Sequence, residues 1–583
     1  MAPVLSVALV LLAVSTSQLF GVQTLALARI VPGLAPYSGS AFRFRLIFSM
    51  RIFAELPLEH LDFPNLFVAF QANDPALGGL LPLRPAEPAA LWRMCEGRRN
   101  YTGPERYRQG IARGLADYAE RFDPPQEVRD AATSFAKPGC LAIVTGQQPG
   151  LLGGPLYTFH KIATALRLAE QLRALPGAPE IVTIFWNHSE DHDWAEANHS
   201  WLVNPAFDVQ RLRLSLPSTG RPLDGIALGD ELRSALAEAR DLLPKTDEFL
   251  RETALFQLQA ERETLAEQLS RQLFHHFGER GLLVLEPYCL PSETRELLAD
   301  FHLRSEEVRG VLKGSVCELL ARGFDVTVDP ETAFSFHIPG GGKRSALPDG
   351  APLPDGGRLS PGVLHRNLWQ DSILPTLAFV AGPGELQYLA LTGGIYGAFG
   401  VPRPPLIPRA SFTYVDDKLY EFLERWQIGV QDLQQGSRHL QDLIAEREGG
   451  SQTEFFEGTG LLEEKLRNLA EDFAKGLREL EPGVAELDRN LVLPMAKLAS
   501  RSRTEARKIA EKIARQRSGR SGVWRQHARR LSAWLLPRGS LQERVLPALP
   551  FLVRNGHRFV EDLVEHADPF ACTHRVVRLA DVD

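Results

Sequence analysis

The chain has 583 residues, too many for one hydrophobic core, so two or three domains are expected. Its 44% hydrophobic and 23% charged content is that of a globular protein, and a net charge of -7 argues against a general nucleic-acid binder. Five scattered cysteines without a CxxC pair form neither a disulfide framework nor a zinc signature, which fits a reducing, cytoplasmic setting.

Residues 1–49 stand apart. Ala2 to Ile30 is rich in Leu, Val and Ala, yet the first positive charge is Arg29, so the basic start of a secretory signal is missing. We read 1–49 as an upstream extension, with translation starting at Met50 and no membrane partner. An authentic anchor is the alternative.

From Leu91 to Phe122, apolar residues recur at helical spacing among charges, predicting one or two surface helices. The apolar run Cys140 to Val144, bounded by Gly139 and Gly146, predicts a buried strand. Pro155 to Leu175 reads as a helix, opened by Gly-Gly-Pro and closed by Pro176-Gly177. Ile181 to Trp186 is a second buried strand, and strand, helix and strand together imply a parallel sheet. The pattern recurs at Thr264 to Phe277 (helix) and Leu282 to Leu285 (strand), followed by one long helix from Ser292 to Arg322. Ala333 to Leu359, rich in Gly and Pro, suggests a hairpin insertion, and strands near Ala378-Phe379-Val380 and Pro405-Leu406-Ile407 complete the sheet.

The expected organisation is an α/β core over 50–415, with insertions at about 206–260 and 333–360. A helical domain spans 416–535, and a segment over 536–583 packs back on the core. In the helical domain Leu462, Leu466, Leu469, Phe473, Leu477, Leu480, Val484, Leu487 and Leu491 form a heptad stripe, broken by Pro482. It specifies either a coiled coil between chains or a helix packed on its own domain. Eleven Lys or Arg against two Glu between Arg501 and Arg530 make a solvated helix face or, alternatively, a phosphate-binding surface.

Three segments could carry chemistry. The first is Thr145-Gly146-Gln147-Gln148, leading to Tyr157, His160 and Lys161. Glycine at a strand end lets a ligand approach the backbone, and the helix start that comes next favours an anion. Neither GxxxxGK[ST] nor GxGxxG is present. The second is Glu190-Asp191-His192-Asp193, just beyond the second strand, where open α/β sheets bind ligands. Its crowded carboxylates should repel one another and raise at least one pKa toward that of a general base. A solvated acidic loop is the plain alternative, and His188, His192 and His199 with Asp191 leave zinc as another, although no HExxH is present. The third is Leu359 to Asn367, which includes Arg366, with Leu374 to Tyr388, in which Gly382-Pro383-Gly384 make a tight turn that aims Glu385 over the sheet edge.

Taken together, VTGQQxGxxxGPLYTxHK, EDHDxxExxH, LSPxVLxR, LPTxAFVxGPGE, the Pro404 to Arg409 stretch and Gly539 to Arg544 resemble the bacillithiol biosynthesis family BshC, the cysteine ligases. The likeness runs from about Glu55 to the C-terminus. It implies a Rossmann-like core related to class I aminoacyl-tRNA synthetases, with connecting-peptide insertions and a C-terminal coiled coil that makes a homodimer. It also implies the reaction, cysteine joined to glucosaminyl-malate. The chain departs from the synthetases in lacking a KMSKS loop, and it has Thr145 to Gln148 where they carry their HIGH motif.

Amide formation from a carboxylate is uphill in water, so the expected route is activation of cysteine by ATP or another nucleotide, then attack by the sugar amine. Asp191 is expected to be the base, with Asp193 and Glu385 orienting it and Glu190 and His192 beside it. Gln147, Gln148, His160 and Lys161, with Thr145, Gly146, Tyr157, Gly382 and Gly384, should hold the activated cysteine or its phosphate. Arg366 and Arg409 are the cations expected for carboxylates. No resident metal is expected. The competing readings are a nucleotide-binding scaffold without catalysis and a metal-dependent hydrolase of a thiol-sugar.

Overall fold

A computed structural model describes residues 50–579 apart from 205, 244–262, 448–452 and 518–521. The expected extension over 1–49, the later part of the 206–260 insertion and the side chain of Leu462 therefore lie outside the described residues. In chain order the elements that matter here are β1 (Arg51–Pro57), β2 (Leu141–Gln147), α1 (Tyr157–Arg173), β3 (Ile181–Asn187), α2 (Trp194–Ala197), β4 (His199–Val203) and β5 (Val209–Arg213). They continue with α3 (Leu265–Phe277), β6 (Leu282–Leu285), β7 (Ser335–Ile338), β8 (Ser345–Ala346), β9 (Arg358–Pro361), α4 (Val363–Ile373), β10 (Thr376–Ala381) and α5 (Pro383–Leu389). The last are β11 (Leu406–Pro408), β12 (Ser411–Val415), α6 (Thr453–Leu487), α7 (Val492–Arg517), α8 (Gln542–Val545), α9 (Arg558–His566) and β13 (Thr573–Arg578).

Five strands form one parallel sheet in the order β11-β10-β2-β3-β6. The central strands are buried along almost their whole length, as their unbroken apolar runs require when helices cover both faces. From β2 the chain passes through α1 to β3 on one side, and it later returns with β10 on the other side of β2. The strand order thus reverses at β2, which opens a crevice at its carboxyl end.

The expected hairpin insertion is a three-stranded antiparallel sheet, β8-β7-β9. A second hairpin, β4-β5, lies after the acidic turn. Thr264 and Glu267 form a reciprocal capping box that opens α3. The single long helix expected over Ser292 to Arg322 is two, Ser292–Leu303 and Ser305–Ala321. The break is at Arg304, whose ψ of 6° is not helical, and the Ser305 hydroxyl donates to the His302 carbonyl to close the first helix.

A second sheet, β1-β13-β12, was not expected. Its middle strand comes from the far end of the chain, antiparallel to β1 and parallel to β12. The 536–579 segment also reaches the turn before α1, where the Leu156 N–H donates to the Leu546 carbonyl at 2.8 Å.

Helices α6 and α7 form a hairpin joined by a short turn at Arg489–Leu491, with Glu471 and Arg503 paired across it at 2.7 Å. Its seam is made of alanine: Ala470 and Ala474 on α6, and Ala499, Ala506 and Ala510 on α7, are buried. Of the heptad stripe, Leu466, Leu477 and Val484 are half-buried, whereas Leu469, Leu480 and Leu487 face outward, 68%, 61% and 87% exposed. Among the described residues no helix is long and apolar enough to cross a membrane. Because Ala474 is fully buried where the helices meet, Ala474→Leu should overpack the seam and cost about 1–3 kcal/mol, read from chemical denaturation.

Candidate functional site

The crevice is lined by the segments just past the carboxyl ends of β2, β3 and β10. Gly146, near the end of β2, allows the close approach of its neighbours: a Cβ there would lie 2.6 Å from the Trp186 carbonyl oxygen and 2.7 Å from His188 Nε2. Lys161, one turn inside α1, is 1% exposed. Its ammonium donates to the Gly146 carbonyl and to Gln147 Oε1, both at 2.8 Å, and lies 2.6 Å from Glu385. Glu385 in turn accepts from the Gly382 N–H at 2.6 Å, so the start of α5 is tied to β2 across the switch point. Burial lowers the pKa of Lys161, and the Glu385 carboxylate works against that shift. Gln147 also donates to the Tyr157 hydroxyl, and Arg409 lies over the Tyr157 ring.

Beyond β3 the chain turns sharply. Asp191 accepts from Arg366 Nη2 at 3.1 Å and from the His192 N–H at 2.8 Å, and Arg344 Nη1 is 3.9 Å away. Glu190 accepts from Arg295 at 2.6 Å, with Arg358 Nε at 3.4 Å. Arg366 donates to His188 Nδ1 at 2.9 Å and Arg344 to His192 Nδ1 at 3.0 Å, so in this arrangement each imidazole accepts at Nδ1. His188, Glu190, Asp191, Arg344 and Arg366 surround a void of about 10 Å³, walled by Trp186 and Trp369 and roomy enough for about one water.

Two expectations change here. Repulsion was to raise a carboxylate pKa, but Asp191 and Glu190 are both held below the usual range. Burial pushes each upward; for Asp191 the His192 hydrogen bond and the charges of Arg366 and Arg344 outweigh it, and for Glu190 those of Arg295 and Arg358 do. Asp193 was to orient Asp191. The segment is a turn, and the exposed Asp193 caps α2 by accepting from the Glu196 N–H at 3.0 Å.

The other expected residues divide. Gln148 holds the turn by donating to the Asp193 carbonyl, and a Cβ at Gly384 would meet nothing within 4 Å. Thr145 is fully buried and ties β2 to β10 by donating to the Val380 carbonyl. His160 does not reach the crevice. It is fully buried on another side of α1, between Glu543 at 2.9 Å and the Tyr414 hydroxyl at 3.0 Å. Arg409 also donates to Glu543, which joins the core to α8. Burial keeps His160 below its ordinary pKa, against the pull of Glu543. His188, His192 and His199 do not converge: the first two face different arginines and the third the Ala195 carbonyl. Among the described residues no group of three or more His, Cys, Asp or Glu is placed to hold a metal.

Sequence reasoning missed Arg295, Arg344, Arg358 and Glu286. Arg344 comes after the Gly340-Gly341-Gly342 run, a turn signal that could have drawn attention to it. Arg295, on a regular helix, has no local signature. Glu286, just past β6, is fully buried; it accepts from Asn187 and Tyr118 and is paired with the Ser189 hydroxyl beneath the acidic turn. Burial, opposed only in part by the hydrogen bonds from Ser189 and Tyr118, pushes its pKa up to about 8.

The fold and site define a Rossmann-like α/β protein with a charged crevice at its switch point and an appended helical coiled-coil hairpin. A family profile described as "Bacillithiol biosynthesis BshC, N-terminal Rossmann-like domain" matches residues 54–350 and 354–410, and one described as "Bacillithiol biosynthesis BshC, C-terminal coiled-coil domain" matches 412–579. The chain belongs to the bacillithiol biosynthesis BshC family. Three relatives share the name "Putative cysteine ligase BshC". That of Heliobacterium modesticaldum is 30% identical over 501 residues, 81% of this chain and 89% of the relative. That of Salinibacter ruber is 27% identical over 551 residues (88% and 96%), and that of Thermus thermophilus 30% over 473 residues (75% and 88%).

Glu286 makes stability depend on pH. Below its ordinary pKa of 4.5 the group is protonated whether folded or not; between there and about 8 only the folded chain keeps the proton. Stability should therefore fall as pH rises through that window and level off above it. Glu286→Gln, a neutral group of the same shape, should flatten that slope in denaturant melts between pH 5 and 8. An unchanged slope would mean that Glu286 is already ionised in the folded protein.

Proposed function

We propose that this chain is a cysteine ligase, joining the carboxyl carbon of cysteine to the amine of glucosaminyl-malate, with ATP or another nucleotide activating the carboxylate. The observation that carries this reading is the match of both family profiles, in order, from residue 54 to 579. The crevice chemistry supports it. Arg295, Arg344, Arg366 and a buried lysine face Glu190, Asp191 and Glu385, while Arg358 is shared between Glu190 and Asp224, leaving one positive charge in excess, suited to a carboxylate or phosphate. Descent of the core from class I aminoacyl-tRNA synthetases, implied by the family likeness, would put the activated cysteine at the switch point beside Lys161, Gln147 and Gly382.

Asp191 takes the amine in this reading. Clamped by Arg366 and Arg344 it is a weak base, but it is a strong post for an ammonium. A substrate carboxylate that draws Arg366 and Arg344 away removes two of the influences that hold the pKa of Asp191 down, beside the His192 hydrogen bond, and raises its affinity for the amine's proton. Asp191→Asn should lower product formation by about 10²–10⁴-fold with little change in melting temperature. Turnover near that of the wild type removes Asp191 from the mechanism. Cysteine-dependent exchange between ATP and pyrophosphate tests activation directly, and its absence in the wild type would rule out an adenylate.

We also propose that the chain works as a homodimer through the helical hairpin. Leu469, Leu480 and Leu487 stand exposed in one heptad stripe that the hairpin's own alanine seam leaves uncovered. Replacing Leu469 and Leu480 together by Glu should give folded monomers, because neither side chain supports the intramolecular seam. An unchanged mass by light scattering rules out this face. All five cysteines are free, which supports a cytoplasmic location.

A further inference from the structure

Next to the acidic turn is a second, larger cavity of about 480 Å³. Its walls are the Arg221–Gly225 stretch, the glycine turn Gly340-Gly341-Gly342 after β7, the start of β9 at Gly357-Arg358, and Tyr288. These pieces are locked to the crevice by backbone hydrogen bonds. The Leu223 N–H donates to the Asp191 carbonyl at 2.8 Å, the Asp224 N–H to the Ser189 carbonyl at 3.0 Å, and the Arg344 N–H to the Gly220 carbonyl at 2.9 Å. Arg358 belongs to both spaces: it pairs with Asp224 inside the cavity, and its Nε is 3.4 Å from Glu190.

Arg221 differs from every other arginine in this region. Arg295, Arg344, Arg358 and Arg366 all have carboxylate partners. The Arg221 side chain makes no ion pair or hydrogen bond among the described residues, and its buried Nε, like that of Arg358, has no hydrogen-bond acceptor. The guanidinium lies over two glycines, with a Cβ at Gly225 or Gly341 coming 3.7 or 3.8 Å from Nη2. A buried donor left without an acceptor is unfavourable, and a planar fork facing a cavity matches a carboxylate in two-pronged fashion. With Asp224 already neutralised by Arg358, Arg221 leaves the cavity with one unbalanced positive charge. That charge suits a carboxylate better than a polyphosphate.

We propose that this cavity is the subsite for the carboxylate end of the amine-bearing substrate, with Arg221 as its principal anchor and Arg358 as the hinge between the two spaces. A substrate held there by its carboxylate extends along the Asp224–Arg358 pair toward Glu190 and Asp191, where its amine would meet the activated acyl group. The substrate's identity rests on the ligase reading above, whereas the subsite itself can be tested without turnover.

The direct test is calorimetric titration of the full-length protein with L-malate, used as the carboxylate probe, for the wild type, Arg221→Ala and Arg221→Lys. Loss of a charge-assisted, two-pronged contact should weaken malate by about 10–100-fold in Arg221→Ala, with Arg221→Lys in between. Melting temperatures near that of the wild type would show that the variants fold. If turnover is found, the KM for the amine substrate should rise by a similar factor while the KM for cysteine stays as it was. Malate binding of equal strength in all three proteins overturns the subsite, even if the enzyme is an active ligase. Weakened malate binding without any turnover supports the subsite and counts only against the ligase reading. A wild type that binds ATP but not malate, with ATP weakened by Arg221→Ala, overturns the carboxylate assignment in favour of a nucleotide.

Discussion

An ammonium group kept out of water is costly unless it is bonded on every side, and Lys161 meets that condition only because two separate pieces of chain bring three partners to it. The Gly146 carbonyl and the Gln147 side chain arrive with β2, and the Glu385 carboxylate arrives with α5 after β10. The lysine itself is carried by α1, so the first strand–helix unit and the returning strand cannot separate without stranding a charge. The crevice is therefore fixed by its floor. The strand reversal at β2 opens a gap, and the lysine sets how wide that gap can be.

The outer half of the site rests on the opposite arrangement. There carboxylates are the buried minority, and arginines from distant elements surround them. Such pairs contribute little net stability once desolvation is counted, but they fix where each charge points. A turn that begins with Glu190 and Asp191 would otherwise splay into solvent, as Asp193 does one residue beyond His192. Holding Asp191 as an anion also makes its proton affinity depend on whatever competes for Arg366 and Arg344.

The parallel sheet was legible in the sequence because its strands are buried on both faces and so read as continuous apolar runs ending in glycine. The same signal placed Lys161, Glu385 and the acidic turn at one end of the sheet. What could not be read was direction around a helix: His160 and Lys161 are neighbours in sequence, about 100° apart around α1, and only one faces the crevice. Long-range partners were equally hidden, since repulsion among Glu190, Asp191 and Asp193 is visible in the sequence whereas the arginines that reverse it come from residues 295, 344, 358 and 366. The heptad stripe was read correctly as a pattern, but alanines at spacings of four and seven, less conspicuous than the leucines, make the hairpin's own seam.

The position of β13 has a consequence for how this molecule comes together. It lies between β1 and β12, and Glu55 meets Arg575 across 520 residues of chain. Until that strand arrives, β1 and β12 present unpaired edges, each a template for pairing with the wrong partner. Glu543, which receives both His160 and Arg409, likewise comes late and leaves two buried basic groups waiting for their acid. During synthesis the parallel core can form well before the small sheet closes, so the final step is a long-range clasp. Chain closure of that kind is slow relative to local folding, and the open-edged intermediate it leaves is the state that chaperones and proteases would meet first.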